Sequence, residues 1–296
     1  MEAIEQIGVI GLGSMGLPMA GVLAAAFAVV GFDPTPERVA LAERSGVTGA
    51  ADAHGAAVGS DVLLLAVRDE AQARAALFGP DGCAEALPRG SAVVITSTIG
   101  GAAVVDIGRQ LADRGVLCVD APVSGGPGRA GEGDLLVIVS GSPAALAKTE
   151  PVIAAVAGSV EPVGERLGDA QAMKIVNQLL CGIHIAAAAE ALALADQLGL
   201  DQARALEILG KGAAASFMLA DRGARMVAEG PRPVNSRIDI FVKDMGMVLE
   251  AARGELPLPV AGSAEQLYTL AARSGWGAMD DSELVDFLRG VDTGRS

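Results

Sequence analysis

The chain has 296 residues, enough for two hydrophobic cores and too few for three to be expected. Apolar residues make up 51% of the sequence and aromatic residues 3%, so the cores consist mainly of alanine, valine, leucine and isoleucine. The 22 basic and 36 acidic residues give a net charge of −14. This charge repels nucleic acids and does not attract anionic membranes, so we expect neither as a partner.

The sequence also argues against disulfide bonds, a metal site and a membrane span. Its three cysteines are far apart, and neither His54 nor His184 lies at ligand spacing from a cysteine or a pair of carboxylates. The start of the chain lacks a signal-peptide pattern, and no apolar run reaches the ~20 residues of a transmembrane helix. We therefore expect a cytoplasmic protein without a metal.

The first half of the chain alternates apolar runs with helical patterns. The strand-like runs are Ile7–Ile10, Ala28–Phe32, Val62–Val67, Ala92–Thr96, Val116–Val119, Leu135–Ser140 and Val160–Val163. Between the first five lie the helical stretches Met15–Ala26, Pro36–Ser45, Ala71–Leu77 and Ala102–Arg114. This alternation predicts an α/β domain with a doubly wound, mainly parallel sheet over residues 1–165.

The strand-like runs stop near residue 165, and helical patterns follow. Asp169–Leu198 predicts one long interdomain helix that ends at Gly199. Two capping boxes predict the starts of further helices, which end near Gly254 and at Gly275; the boxes are Ser236/Asp239 and Ser263/Gln266. We therefore expect residues 166–296 to form an all-α domain for substrate binding and dimerisation.

A glycine-rich loop follows the first predicted strand and precedes a helix. It reads Gly11-Leu12-Gly13-Ser14-Met15-Gly16, the G-x-G-x-x-G pattern in which the backbone and the helix N-terminus bind a pyrophosphate. All six residues are predicted to bind a dinucleotide in a Rossmann-type domain. The alternative is a glycine turn with a purely structural role.

Asp33 ends the second predicted strand, 33 − 16 = 17 residues after the last glycine of the loop. A carboxylate there can accept hydrogen bonds from both ribose hydroxyls and repels a 2′-phosphate. No arginine is adjacent to Asp33, and Arg38 falls a turn into the next helix. We therefore predict that NAD is preferred over NADP; the alternative is that Asp33 is a turn residue before Pro34.

Two loops at predicted strand ends carry further candidates. In the segment 120–126, Ser124, Gly125 and Gly126 can turn a hydroxyl and backbone N–H groups towards a carboxylate, although a plain turn explains them equally well. Thr98 ends a strand at the edge where the nicotinamide end of a cofactor would lie. Val67, at the end of its own strand run, is a further candidate for cofactor binding.

The long helix places Lys174, Asn177, Gln178 and Cys181 on one face, at i, i+3, i+4 and i+7. A lysine in such apolar surroundings either reaches solvent or acts chemically, since desolvation lowers a lysine pKa and eases proton transfer near neutral pH. On another predicted helix, Lys243 lies among apolar residues and is either functional or simply solvated.

In this order and spacing, four motifs resemble the 3-hydroxyisobutyrate dehydrogenase family, part of the β-hydroxyacid and 6-phosphogluconate dehydrogenase group. They are the loop Gly11–Gly16, the segment Asp120–Gly126, the run from Gly168 through Lys174 to Asn177, and Lys243-Asp244. The resemblance covers nearly the whole chain. Further segments, among them Asp280-Asp281-Ser282, look most like L-threonate dehydrogenases.

The resemblance implies a role for each candidate. Lys174 would accept the proton of the substrate hydroxyl, and Asn177 would orient substrate and lysine, with Gln178 beside it. Ser124, Gly125 and Gly126 would bind the substrate carboxylate. Thr98 would contact the nicotinamide ribose, and Lys243 would reach the cofactor or the substrate.

The expected activity is oxidation of a small hydroxy acid with NAD, with L-threonate as the first candidate and 3-hydroxyisobutyrate as the second. Imine reductases share the expected architecture but usually lack the lysine, so Lys174 argues against that alternative. A non-catalytic NAD-binding sensor is the third possibility. The alanine-rich face of the long helix and the resemblance together imply a homodimer or homotetramer.

Overall fold

The computed structural model describes residues 4–253 and 255–291. Contacts between Cα atoms divide the chain into two compact units, Met1–Lys174 and Ile175–Ser296. The first unit contains a β-sheet with its helices. The described part of the second unit consists of helices and connecting turns, with an isolated bridge between Arg237 and Asp280.

The strands and helices follow the alternation that the sequence predicts. Within the described residues the strands are β1 (Gln6–Ile10), β2 (Ala28–Phe32), β3 (Thr48–Gly49), β4 (Val62–Leu65), β5 (Ala92–Ile95), β6 (Leu117–Asp120), β7 (Val123–Ser124), β8 (Leu135–Ser140) and β9 (Ala157–Gly164). The helices of the first unit are α1 (Gly16–Ala24), α2 (Pro36–Glu43), α3 (Ala53–Ala57), α4 (Glu70–Phe78), α5 (Gly101–Ala112), α6 (Gly126–Gly131) and α7 (Pro143–Val156). Helix α8 (Asp169–Gln197) begins in the first unit and continues into the second, where α9 (Gln202–Leu209), α10 (Phe217–Met226), α11 (Ile238–Ala251), α12 (Pro259–Ala271) and α13 (Leu284–Leu288) follow.

The sheet has the strand order β3-β2-β1-β4-β5-β6-β8-β7, and β9 pairs with β8. Strands β1 to β6 pair in parallel, whereas β8 runs antiparallel to β6 and β7. The expected doubly wound, mainly parallel sheet is therefore confirmed. In such a sheet the carboxyl ends of the parallel strands meet at one edge, where ligands commonly bind.

Both faces of the sheet are buried, which explains the nearly continuous apolar strands. In β4, Val62 and Leu64 pack into one hydrophobic cluster, while Leu63 and Leu65 pack into a second cluster. Successive side chains of a strand point to opposite faces, so helices must cover both sides. Each face of the parallel sheet is therefore packed in its own hydrophobic cluster.

The second unit has its own core, in which the few aromatic residues concentrate. Tyr268 is fully buried, and its hydroxyl donates a hydrogen bond of 2.8 Å to the carbonyl of Gly182. Its ring stacks on Phe241 with 5.2 Å between the ring centres. The contact between Tyr268 and Gly182 joins α12 to α8.

A buried ion-pair cluster ties α10 to the segment before α13. Arg222 Nη2 lies 3.1 Å from Asp281 Oδ2, and Arg225 Nη2 lies 2.8 Å from Asp281 Oδ1. Burial raises the pKa of Asp281, and the charge of Arg222 acts in the opposite direction. Since Asp281 is inaccessible to solvent, its role within this unit is to hold the two arginines.

Neither predicted capping box forms, although α11 begins within two residues of Ser236. The N-cap position of α11 is Arg237, without a side-chain cap, and the Ser236 N–H donates to Asp280. Helix α12 begins at Pro259, so Ser263 lies inside it and donates to the Pro259 carbonyl. Inside a helix a serine hydroxyl can bond to the carbonyl four residues earlier, so the S-x-x-Q pattern alone does not identify Ser263 as a cap.

Of the two predicted helix ends, the one at Gly275 agrees with the structure, and the one near Gly254 lies outside the described residues. A wide turn, Ala272–Trp276, follows α12, and Gly275 in it has φ 89°, which agrees with the predicted end of the helix. Helix α11 ends at Ala251, and the predicted end near Gly254 lies outside the described residues.

Among the described residues, one helix is long and apolar enough by length and composition to cross a membrane, so the expectation that no segment qualifies was wrong. This helix is α8. Half of its most apolar window is buried, and it carries the buried polar residues Lys174 and Gln178. These properties are typical of the core helix of a soluble protein.

The two-sided burial of the sheet predicts the effect of truncating a central strand. Leu64→Ala should lower the free energy of unfolding by about 2–5 kcal/mol, because the side chain is buried in the middle of the sheet. The exposed Leu41→Ala, in the same unit, should change it by less than about 0.5 kcal/mol. Urea unfolding followed by circular dichroism measures both, and equal effects would contradict this description of the core.

Candidate active site

The loop between β1 and α1 uses its three glycines for different steric reasons. Gly11 has φ 91°, and a Cβ there would lie 2.5 Å from the Ala66 carbonyl oxygen. A Cβ at Gly16 would lie 1.8 Å from the Gly11 carbonyl oxygen. At Gly13 the nearest atom to a Cβ would be Arg38 Nη1, 4.0 Å away. The outer side of the second glycine therefore has space for a ligand close to the backbone.

Asp33, at the end of β2, holds this loop in place. Its Oδ2 accepts a hydrogen bond of 2.9 Å from the Leu12 N–H, and its Oδ1 accepts one of 2.9 Å from the Thr35 N–H. The Leu12 side chain is buried beneath the loop. Asp33 thus fixes both the loop and the turn after β2, and it is itself only 5% exposed.

Arg38 lies against Asp33, which corrects its expected placement away from the carboxylate. Its Nη1 lies 3.3 Å from Oδ2 and 3.4 Å from Oδ1 of Asp33. Helix α2 begins at Pro36, so Arg38 lies in its first turn, from which a long side chain can reach back to the end of β2. The preference for NAD was predicted partly because no arginine was expected near Asp33. Since Arg38 lies there, that part of the reasoning no longer holds.

These residues fit a dinucleotide. The close contacts at Gly11 and Gly16 bring the start of α1 against the strand, and the open side of Gly13 provides the space that a pyrophosphate needs. Asp33 and Arg38 lie where the adenosine ribose would be bound. In residues 4–253 and 255–291, no group of three or more His, Cys, Asp or Glu side chains could hold a metal ion.

The ends of β4 and β5 are joined by side-chain hydrogen bonds. The Val67 N–H donates to Ser97 Oγ at 2.9 Å, and the Ser97 hydroxyl lies 3.2 Å from the carbonyl of Leu65, to which it donates. Thr96 Oγ1 donates to the same carbonyl at 3.0 Å. The half-buried Thr98 follows directly, so its loop is anchored at the carboxyl edge of the sheet.

Asp120 binds the first turn of α8 to the end of β6. Its Oδ2 accepts hydrogen bonds from the N–H groups of Gly168 and Gln171 at 3.1 and 3.0 Å, and from the Ser140 hydroxyl at 3.3 Å. Burial raises the pKa of Asp120, and these hydrogen bonds partly counteract that rise. A carboxylate at a helix N-terminus also interacts favourably with the helix dipole.

The Gln171 side chain connects Asp120 to the loop after β5. Its Nε2 donates to Asp120 Oδ1 at 2.8 Å and to the Ser97 carbonyl at 3.1 Å. Its Oε1 accepts from the N–H groups of Ile99 and Gly100, each at 3.0 Å. The amide thus uses both donors and both acceptor positions, which leaves it one orientation.

Lys174 follows Gln171 by three residues and therefore shares its side of α8, one turn along the helix. It is 6% exposed, which argues against the alternative of a lysine that reaches solvent. The hydrogen bonds of Asp120 and Gln171 set the position of the turn that carries it. The backbone at Lys174 is therefore fixed relative to the carboxyl edge of the sheet.

Ser124 ends β7, Gly125 follows it and Gly126 begins α6, four to six residues after Asp120. Gly125 has φ 143° and Gly126 has φ 80°, conformations that favour glycine. A Cβ at Gly126 would meet no atom within 4 Å, so this turn has open space beside it. Consecutive glycines with positive φ can direct backbone N–H groups to one side of a turn.

The candidates of the second unit form a connected polar group. Asn177 Nδ2 donates to Gln178 Oε1 at 2.9 Å and to Cys181 Sγ at 3.4 Å. Gln178 Nε2 donates to Asp244 Oδ2 at 2.5 Å, and Lys243 Nζ lies 2.8 Å from Asp244 Oδ1. Asp244 therefore joins the predicted residues of α8 to Lys243 on α11.

Sequence reasoning assigned no role to three residues of this arrangement. Gln171 is a polar residue in an apolar stretch, one turn before Lys174, and this pattern was an available signal. Asp244 was visible as an acidic residue among apolar neighbours. Arg38 left no signal of its contact with Asp33, because helix spacing alone does not reveal how far back an arginine reaches.

The four hydrogen bonds of Gln171 predict a large cost for removing its amide. Gln171→Leu should lower the free energy of unfolding by about 3 kcal/mol or more, since buried N–H, carbonyl and carboxylate groups lose partners. In Gln110→Leu the lost hydrogen bond, to Asp106, is only partly buried and Asp106 keeps two arginine partners, so the cost should stay below about 1 kcal/mol. Denaturant unfolding compares the two variants, and an equally small loss for both would contradict the proposed importance of Gln171.

Comparisons with known proteins agree over almost the whole chain. Residues 6–164 match the family described as the NAD binding domain of 6-phosphogluconate dehydrogenase. Residues 168–288 match the family described as NAD-binding of NADP-dependent 3-hydroxyisobutyrate dehydrogenase. The chain is 40% identical over 293 residues to L-threonate dehydrogenase of Cupriavidus necator, an overlap of 97% of each protein.

Two further relatives extend the comparison. The 2-(hydroxymethyl)glutarate dehydrogenase of Eubacterium barkeri is 32% identical over 287 residues, covering 96% of this chain and 95% of that protein. The crystal structure of 3-hydroxyisobutyrate dehydrogenase from Salmonella typhimurium superposes with a TM-score of 0.90 at 37% identity. It covers 96% of this chain and 99% of that one.

Proposed function

The chain belongs to the 3-hydroxyisobutyrate dehydrogenase family of hydroxyacid dehydrogenases, and we propose that it oxidises a small hydroxy acid with NAD and Lys174 as general base. One observation carries this proposal. Lys174 is buried on the helix that Asp120 and Gln171 bind to the carboxyl edge of the sheet. A buried lysine held in this way is suited to proton transfer rather than to solvation.

The dinucleotide would be held by the glycine loop, Asp33, Val67 and Thr98 in the first unit, with Lys243 as a further candidate. When bound, it supplies the acceptor for the hydride that leaves the substrate carbon. Asp33 supports a preference for NAD, because a carboxylate accepts hydrogen bonds from the ribose hydroxyls.

Substrate binding would fall to Ser124, Gly125 and Gly126, whose hydroxyl and backbone N–H groups are suited to a carboxylate. Lys174 would take the proton from the substrate hydroxyl as the carbonyl forms. Asn177, one helical turn after Lys174, would orient the substrate, and Gln178 would support it through Asp244. These groups suffice for hydroxyl oxidation in either direction, since the lysine can return the proton.

L-threonate is the substrate we propose first. The similarity to L-threonate dehydrogenase of Cupriavidus necator, at 40% identity over nearly the full length, supports this choice over 3-hydroxyisobutyrate. We also propose a cytoplasmic location and a homodimer or homotetramer. The exposed apolar side chains of Met173, Val176 and Leu180 on α8 support self-association.

Removing the proposed base should stop the chemistry without preventing cofactor binding. Lys174→Ala should lower kcat by roughly 10²–10⁴-fold, the range of general acid–base catalysis, and leave NADH affinity within about threefold. Lys211→Ala, which loses an exposed lysine paired with Glu207, is the control and should retain full activity. Steady-state kinetics and NADH fluorescence titration give both readouts, and an unchanged kcat in Lys174→Ala would rule out the role.

The substrate proposal predicts the outcome of an activity panel. Purified protein with NAD should form NADH saturably with L-threonate, more efficiently than with 3-hydroxyisobutyrate, glycerate or 6-phosphogluconate. The initial rate of NADH absorbance at each acid concentration is the measurement. Binding of NAD without oxidation of any hydroxy acid would overturn the proposal and favour an imine reductase or a sensor.

A further inference from the structure

We propose that Asp244 is a positioning residue that sets the orientation of the Asn177 amide, so that Asn177 offers a ligand its carbonyl oxygen and selects acids with a second hydroxyl. The inference deepens the proposed function and rests on it for the identity of the ligand. The contacts of three side chains in the second unit carry it. Asp244 and Gln178 are 3% and 8% exposed, whereas Asn177 is half-buried.

The hydrogen bonds of these side chains run in one direction. An ionised carboxylate only accepts, so the Gln178 amide must turn its Nε2 towards Asp244 Oδ2, where the distance is 2.5 Å. This leaves Gln178 Oε1 as an acceptor for Asn177 Nδ2, at 2.9 Å. The same Nδ2 also donates to Cys181 Sγ at 3.4 Å. Asp244 therefore determines the orientation of both amides.

Both N–H groups of the Asn177 amide are thereby used inside the protein. Its Oδ1 accepts no hydrogen bond from the part of the chain that the structure describes. A ligand at Asn177 therefore meets an acceptor, which pairs with a hydroxyl but forms no bond with a methyl group or a carboxylate. An acceptor that loses water and gains no donor costs binding free energy, which is the basis for rejecting the wrong ligand.

The hydroxyl that is oxidised cannot fill this role. It carries a single proton, which in the proposed reaction passes to Lys174. The Asn177 oxygen therefore requires a donor from another hydroxyl of the same substrate. L-threonate has three hydroxyls and 3-hydroxyisobutyrate has one, so this amide favours the polyhydroxy acid.

Lys243 allows the orientation to be inverted by substitution. Its Nζ lies 2.8 Å from Asp244 Oδ1, and an ammonium only donates. In Asp244→Asn the new amide must keep its oxygen towards Lys243 and present its NH2 to Gln178. Both other amides then turn over, and Asn177 presents N–H groups to the ligand. Adding Gln178→Glu restores the original orientation, because a carboxylate at position 178 again accepts from Asn177.

Hydrogen exchange of the Asn177 side chain tests the orientation without any substrate. Asn177 and Asn235 are the two asparagines of the chain, so protein labelled only at asparagine nitrogen gives two side-chain NH2 signals in NMR spectra, assigned with Asn235→Ser. Exchange with water should be at least about tenfold slower at Asn177 than at Asn235, since two hydrogen bonds must break. Asp244→Asn, which adds a third signal, should remove this difference, and Asp244→Asn/Gln178→Glu should restore it.

Kinetics at saturating NAD test the selection of a second hydroxyl. The ratio of kcat/KM for L-threonate to that for 3-hydroxyisobutyrate should fall about tenfold in Asp244→Asn, as expected for one lost hydrogen bond, and return to within about threefold in the double variant. Because both acids bind the same complex with NAD, an effect of the substitution on the cofactor cancels in this ratio. A purely structural role of Asp244 would lower activity with both acids alike.

The matched control is Asp239→Asn, which makes the same change on the same helix and removes an exposed ion pair with Arg237. It should leave both the exchange rate at Asn177 and the kcat/KM ratio within about twofold of their original values. This comparison separates the position of the carboxylate from the loss of one negative charge.

The outcomes separate this inference from the proposed function. Fast exchange at Asn177 in the unaltered protein, or the same rate in all variants, would overturn the role of Asp244. A kcat/KM ratio unaffected by Asp244→Asn would overturn the selection of a second hydroxyl. Exchange as predicted without turnover of any hydroxy acid would contradict the proposed function and the substrate class, while the amide orientation would stand.

Discussion

A buried carboxylate–amide contact, between Asp120 and Gln171, determines where the long helix α8 begins relative to the sheet. Asp120 ends β6, and Gln171 lies in the first turn of the helix and also binds the loop after β5. Burial raises the pKa of Asp120, so its charge is tolerated only because hydrogen bonds surround it. This constraint turns two strand ends and one helix into a single rigid support for Lys174.

The same principle operates at the other end of the proposed dinucleotide site. Asp33 is buried, and its oxygens bind the Leu12 and Thr35 N–H groups, so a second carboxylate at a strand end shapes a loop. The two carboxylates differ in their cationic surroundings. Asp33 is paired with a half-exposed arginine, whereas Asp120 is satisfied by backbone N–H groups, an amide and a hydroxyl. The half-exposed Arg38 can turn from Asp33 to a ligand. The buried contacts of Asp120 are suited to holding the first turn of α8 on the sheet.

Much of the fold could be predicted because its signals are local. Strands β2 and β8 have the predicted bounds, since apolar runs bounded by turn residues identify a buried strand. The start of α12 could not be read from Ser263, because Pro259 is an equally good first residue and tertiary packing decides. The contacts of Gln171 and Arg38 join residues distant in sequence or across a turn, so spacing rules do not reveal them. The roles assigned to the site residues therefore come from the family resemblance and not from residue spacing.

Isotope transfer tests the central claim of hydroxyl oxidation by hydride transfer most directly. L-threonate deuterated at all its carbon-bound positions would be incubated with the protein and NAD, and the reduced dinucleotide examined by mass spectrometry and proton NMR. Direct hydride transfer predicts NADH that carries one deuterium at C4 of the nicotinamide. Reduced dinucleotide without deuterium, or none at all under conditions where NAD binds, would contradict it.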